Sequence, residues 1–147
     1  AAVLLAKLEV FEDELAAREQ LARRYDEGLA GHVTLPPRAA NDQSAWAQYS
    51  ILVDNRDELA ARLRERGIPT AVYYPRPLHL QPAYEDMDGS PGSLPVSEDI
   101  SKRILSLPMH AYMPEDTASM IIDAVVAAQA ETARETAAAE RRTARAG

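Results

Sequence analysis

The chain has 147 residues, enough for one domain with a single packed core, and its 46% hydrophobic and 27% charged residues are those of an ordinary globular fold. A net charge of −7 with no basic stripe argues against nucleic-acid binding, and no apolar run of about eighteen residues is present to span a membrane. The absence of cysteine excludes disulfides, zinc–thiolate centres and thiol catalysis. The first twenty residues lack the basic region of a signal peptide, so the cytoplasm is the expected compartment.

In chain order, residues 1–30 read as one long helix. Leu4, Leu8, Phe11, Leu15, Ala22, Tyr25 and Leu29 recur at steps of three and four and form one stripe, and Gly31 is a natural stop. This helix opens on apolar residues without a cap, as a segment of something longer would. A loop follows over 32–45, with Pro36 and Pro37. The alternating segment 46–53, WAQYSILV, is an expected strand. Asn55 with Glu58 three residues on suggests a capping box for a helix that buries Leu59 and Leu63 and ends at Gly67. Residues 70–74 are the second expected strand, closed by Pro75.

Residues 76–94 read as mostly irregular, with a possible turn around 81–85 and a mobile surface loop over 88–95. A helix from Val96 to about Ile104 precedes a third short strand, Leu105–Leu107, stopped by Pro108. Pro114, Glu115 and Asp116 suit a helix start, and Met120, Ile121, Ala124, Val125 and Ala128 form its buried stripe. From Glu131 onward nothing larger than alanine is available for burial, so a frayed helix or disordered tail is expected. The order α-β-α-β-α-β-α implies an α/β fold of the α+β two-layer sandwich kind, in which helices cover a small three-stranded sheet. Residues 1–128 form the domain and 129–147 a charged, alanine-rich helical or disordered tail.

His32, His79 and His110 are too far apart for a helical metal pair, and no hydrolase or phosphate-binding motif is present, so neither metal ligands nor catalytic residues are assigned. The segment 67–84, GIPTAVYYPRPLHLQPAY, is less ordinary. Pro75 and Pro77 stiffen the exit from a strand and would present Tyr74 and His79 in a defined direction, with His79 able to exchange protons or hydrogen-bond a sugar hydroxyl. The plainer alternative is a histidine that caps a loop and tyrosines that fill half-buried strand positions.

This segment resembles a hallmark of the DegT/DnrJ/StrS-type sugar aminotransferases. Gly67, Ile68, Thr70, Tyr74, Pro75, Pro77, Leu78, His79, Leu80, Gln81, Pro82 and Tyr84 match it. The N-terminal helix, the strand–helix–strand of 46–75 and the segment LSLPMHAYM also resemble the family in order, with Ala111 where proline is usual. The resemblance implies the small, C-terminal domain of a fold-type I enzyme dependent on pyridoxal phosphate, which moves an amino group onto a nucleotide-linked keto sugar. It implies Tyr74 and His79 as substrate contacts, a UDP-sugar as substrate, and as partner the missing large domain or the second subunit of a homodimer. Members carry the Schiff-base lysine in the large domain, and neither Lys7 nor Lys102 matches its context. The chain is therefore expected to bind no cofactor and to be inactive alone. A non-catalytic binding or assembly module and a degenerate fragment are the alternatives.

Overall fold

A computed structural model describes residues 1–39, 43–84 and 89–146. Positions 40–42, 85–88 and 147 fall in the expected loops, at the end of the expected turn and at the end of the expected tail, and lie outside the described residues.

The first helical region is two helices rather than one: α1 is Ala2–Leu8 and α2 is Phe11–Leu29. The break follows from packing and charge. α1 buries no residue, so no core packing holds it in line with α2. Glu12, Asp13 and Glu14 meanwhile suit a fresh positive helix end at Phe11. Of the expected stripe only Ala22, Tyr25 and Leu29 are buried, joined by Leu21. Leu4, Leu8 and Phe11 are exposed. Gly31 has φ 78°, a left-handed conformation that stops the helix without strain.

Strand β1, Tyr49–Leu52, pairs antiparallel with β2, Ile104–Leu107, with Tyr49 opposite Leu107 and Leu52 opposite Ile104. The sheet has two strands among the described residues, not the expected three. The 70–74 segment contributes a single bridge, Ala71 exchanging both backbone bonds with Ser106 at 3.1 and 2.8 Å. Pro69 and Pro75 bracket it and cannot donate, which leaves no room for a longer ladder. On the other edge Thr34 bridges Leu52.

Tyr49 and Ile51 share one sheet face and are fully buried with Leu105 of β2. Helix α3, Arg56–Glu65, adds Leu59 and Leu63 to this core. Helix α5, Glu115–Ala146, adds Ala118, Ile121, Ala124, Val125 and Ala128. Met120, expected on that stripe, is 52% exposed, and Ala118 takes the inward position. The Tyr25 hydroxyl donates to the Pro108 carbonyl at 2.8 Å, which ties α2 to the end of β2.

The expected capping box at α3 does not form. The Asn55 side chain bonds Gln129 and Thr132 of α5, and Glu58 pairs with Arg62 and accepts from Thr132. The cause is α5 itself, which continues alongside α3 and offers polar groups that compete with the cap. Arg62 also pairs with Glu131 and Glu135, and Arg66 with Glu131. The far end of α3 closes as expected: Gly67 has φ 76°, the Ile68 and Gly67 amides bond the Leu63 and Arg64 carbonyls, and Ile68 is buried.

Candidate functional site

Beyond the Ala71 bridge the chain leaves the sheet and runs through Tyr73–Pro77 into two short 3-10 turns, Leu78–Leu80 and Pro82–Tyr84. Opposite them lies α4, Pro95–Arg103, which starts with proline at its first turn. Two cavities open between these elements. One, of about 470 Å³, is lined by Tyr73, Tyr74, Arg76, Gln81, Ser97 and Ile100 among others. The other, of about 330 Å³, is lined by His79, Leu78, Tyr84, Gly89, Leu94 and Ser97.

The structure thus places Tyr74 and His79 side by side but in separate cavities that share Leu78 and Ser97. Tyr74 is 70% exposed and lines the first cavity. His79 is largely covered, and its Nε2 lies 3.1 Å from the Glu98 carboxylate. That same carboxylate accepts the backbone amides of Gly92 at 2.8 Å and Leu94 at 3.3 Å. The hydrogen bond from His79, followed by those from Gly92 and Leu94, outweighs desolvation and holds the Glu98 carboxyl below the usual carboxylate range. Against an ionised Glu98, Nε2 must be the donor, which leaves Nδ1 as the free position of the ring. Gly89 packs closely on the same residue: a Cβ there would stand 2.8 Å from the His79 carbonyl oxygen and 2.9 Å from its Cβ, so a side chain at this position would force the backbone to shift.

Sequence reasoning missed two residues here. Glu98, nineteen positions from His79, carries no local signal, because only the fold brings α4 against the turn. Arg76 was readable in principle, as the one charged residue between the two prolines of the hallmark segment. A larger groove of about 680 Å³, between His32–Thr34, Asp54–Asn55 and α5, contains neither predicted residue. Among the described residues no three His, Asp or Glu side chains gather as a metal-holding group. Nor is any helix among the described residues long and apolar enough to cross a membrane.

Lys7 lies on exposed α1 in an ion pair with Glu14, whose hydrogen bond raises its pKa and keeps the amine protonated. Lys102 is exposed on α4, and neither lysine lines the Tyr74 or the His79 cavity.

A small antiparallel sheet, backed by helices and edged by a proline-stiffened loop, is a fold shared with solved sugar aminotransferases. The chain is similar to an aminotransferase from Brucella abortus, with 52% identity and a TM-score of 0.80 over 84% of this chain and 33% of that one. It is also similar to DesV of S. venezuelae, solved with a ketimine intermediate, with 36% identity and a TM-score of 0.85 over 87% of this chain and 35% of that one. Among curated relatives, a UDP-2-acetamido-2-deoxy-3-oxo-D-glucuronate aminotransferase of Pseudomonas aeruginosa is 44% identical over 83% of this chain and 33% of its own length. Residues 1–126 match the DegT/DnrJ/EryC1/StrS aminotransferase family, and the chain belongs to it. It spans about a third of the length of these relatives.

Proposed function

We propose that the chain is the C-terminal lobe of a pyridoxal-phosphate-dependent aminotransferase acting on a nucleotide-linked keto sugar, in amino-sugar or polysaccharide biosynthesis, and that it does not transfer amino groups alone. The observation that carries this reading is a division of labour. The Tyr74 cavity and the oriented His79 are formed within the chain, while both of its lysines lie away from them. In this reading Tyr74 and His79 contact the sugar, residues 1–128 are the lobe, and 129–147 are a helical tail whose first turns, Gln129 to Glu135, bond α3 and Asn55 before it. The large domain, or the second subunit of a cytoplasmic homodimer, supplies the cofactor-bearing lysine. The name of the Pseudomonas aeruginosa relative suggests a UDP-linked 3-oxo sugar acid as the substrate.

Two measurements test it. Borohydride reduction of the chain after incubation with pyridoxal phosphate should leave no saturable adduct at either lysine; a stoichiometric adduct at one of them would refute inactivity. A chimera in which residues 1–126 replace the matching third of the Pseudomonas aeruginosa relative should retain aminotransferase activity. A folded, cofactor-loaded but inactive chimera would favour a non-catalytic binding module of the same family, for which the positions of Lys7 and Lys102 also speak.

A further inference from the structure

We propose that Arg76 is the anion-binding residue of the Tyr74 cavity, where it takes an oxyanion of the substrate. This rests on the function proposed above and names the chemistry the cavity selects. The chain is acidic, and several of its partly covered arginines, such as Arg38, Arg62, Arg66 and Arg103, are each paired with a carboxylate. Arg76 lines a cavity that contains no Asp or Glu among its described lining residues, and it forms no ion pair among the described residues. Its neighbours there are Tyr73, Tyr74, Gln81, Ser97 and Ser101, all neutral. Among the described residues the only formal charge lining that cavity is therefore the positive one of Arg76.

The backbone around Arg76 is stiffened on both sides. Pro75 and Pro77 fix their own φ angles, and a proline also restricts the residue before it, which here is Arg76. A planar guanidinium on such a base suits bidentate pairing with a carboxylate or a phosphate, while Gln81 and Ser97 can reach neutral hydroxyls beside it. The shared chemistry is a sugar-nucleotide oxyanion: either the carboxylate of a sugar acid or the diphosphate bridge.

The test is calorimetric titration of the full chain with UDP-glucuronate, UDP-glucose and free glucuronate, for the wild type, Arg76→Gln and Arg76→Lys, with amide NMR shifts of Tyr74 and Gln81 followed in parallel. Arg76→Gln should weaken UDP-glucuronate on the order of tenfold, with partial recovery in Arg76→Lys. If UDP-glucose weakens equally, Arg76 holds the diphosphate; if UDP-glucose is unchanged and free glucuronate weakens, it holds the carboxylate. Unchanged affinities in Arg76→Gln, with Tyr74 and Gln81 still shifting, would overturn the role of Arg76 alone. Failure of every ligand to shift Tyr74 and Gln81 in the wild type would overturn both this role and the substrate cavity it depends on. Arg76 is exposed, so the variants should fold.

Discussion

The body of the domain and the segment that carries Tyr74 and His79 are held by different forces. In the body, Tyr25, Leu29, Tyr49, Ile51, Leu59, Leu63, Leu105, Ile121 and Val125 are essentially removed from water. From Pro69 to Ile100 no described residue is buried at all. That segment is fixed instead by the bridge at Ala71, by the prolines and by the hydrogen bonds that converge on Glu98. Burial makes the body cooperative, whereas a few polar contacts allow the segment to open by itself without unfolding the rest. A wall whose side chains must stay accessible is better built the second way.

The largest expected effect breaks the body. Leu59→Ala removes a fully buried side chain of α3, the helix that packs on β2 and α5, and should cost about 2–5 kcal/mol, read as a lower urea midpoint. The amides of Gly92 and Leu94 should keep their wild-type protection, because their segment opens without the body. Tyr25→Phe keeps the ring packed 4.9 Å from Tyr49 and deletes only the hydroxyl that bonds Pro108. It should cost about 1–3 kcal/mol, because a carbonyl at the end of β2 loses its partner. The hydroxyl is also a poor acid, since burial raises its pKa, so no titration of Tyr25 should be visible below pH 10. Arg62→Ala cuts the pairs to Glu58, Glu131 and Glu135 on the seam between α3 and α5. These ions sit at the surface, so the midpoint should fall less than in Tyr25→Phe, and the loss should shrink in high salt.

Much of the body was legible beforehand because its signals are local. The alternation through Tyr49 and Ile51, the stop at Gly67, and the proline before Glu115 each act within a turn or two of chain. The misreadings share one cause, competition from a partner distant in sequence. Asn55 and Glu58 have the spacing of a cap, but Gln129 and Thr132 claim their side chains. The apolar stripe of α1 continues that of α2 on paper, yet nothing in the described residues packs on it, so the charge cluster at Glu12–Glu14 sets the boundary. For the candidate site, the hallmark segment singled out Tyr74 and His79. Their division between two cavities depends on where α4 packs, which no local pattern encodes.

The smallest effect sharpens the comparison most, because it should appear in the segment and not in the body. Glu98 is ionised in the folded chain and has a depressed pKa, while in the unfolded chain it would titrate near its ordinary value of 4.5. Its contribution is therefore fully present above that value and is lost as pH falls through the lower, folded value. Protonation removes the charge that receives His79, Gly92 and Leu94 together. Amide exchange at Gly92 and Leu94, corrected for the intrinsic pH dependence, should accelerate as pH drops below 4.5, while core amides such as Ile51 and Leu105 keep their protection over the same step. Glu98→Gln should show the fast exchange already at pH 7 and no further change on acidification. Parallel loss of protection in segment and body would mean that the two unfold as one unit, and that the clasp at Glu98 does not set the mobility of the wall that presents His79.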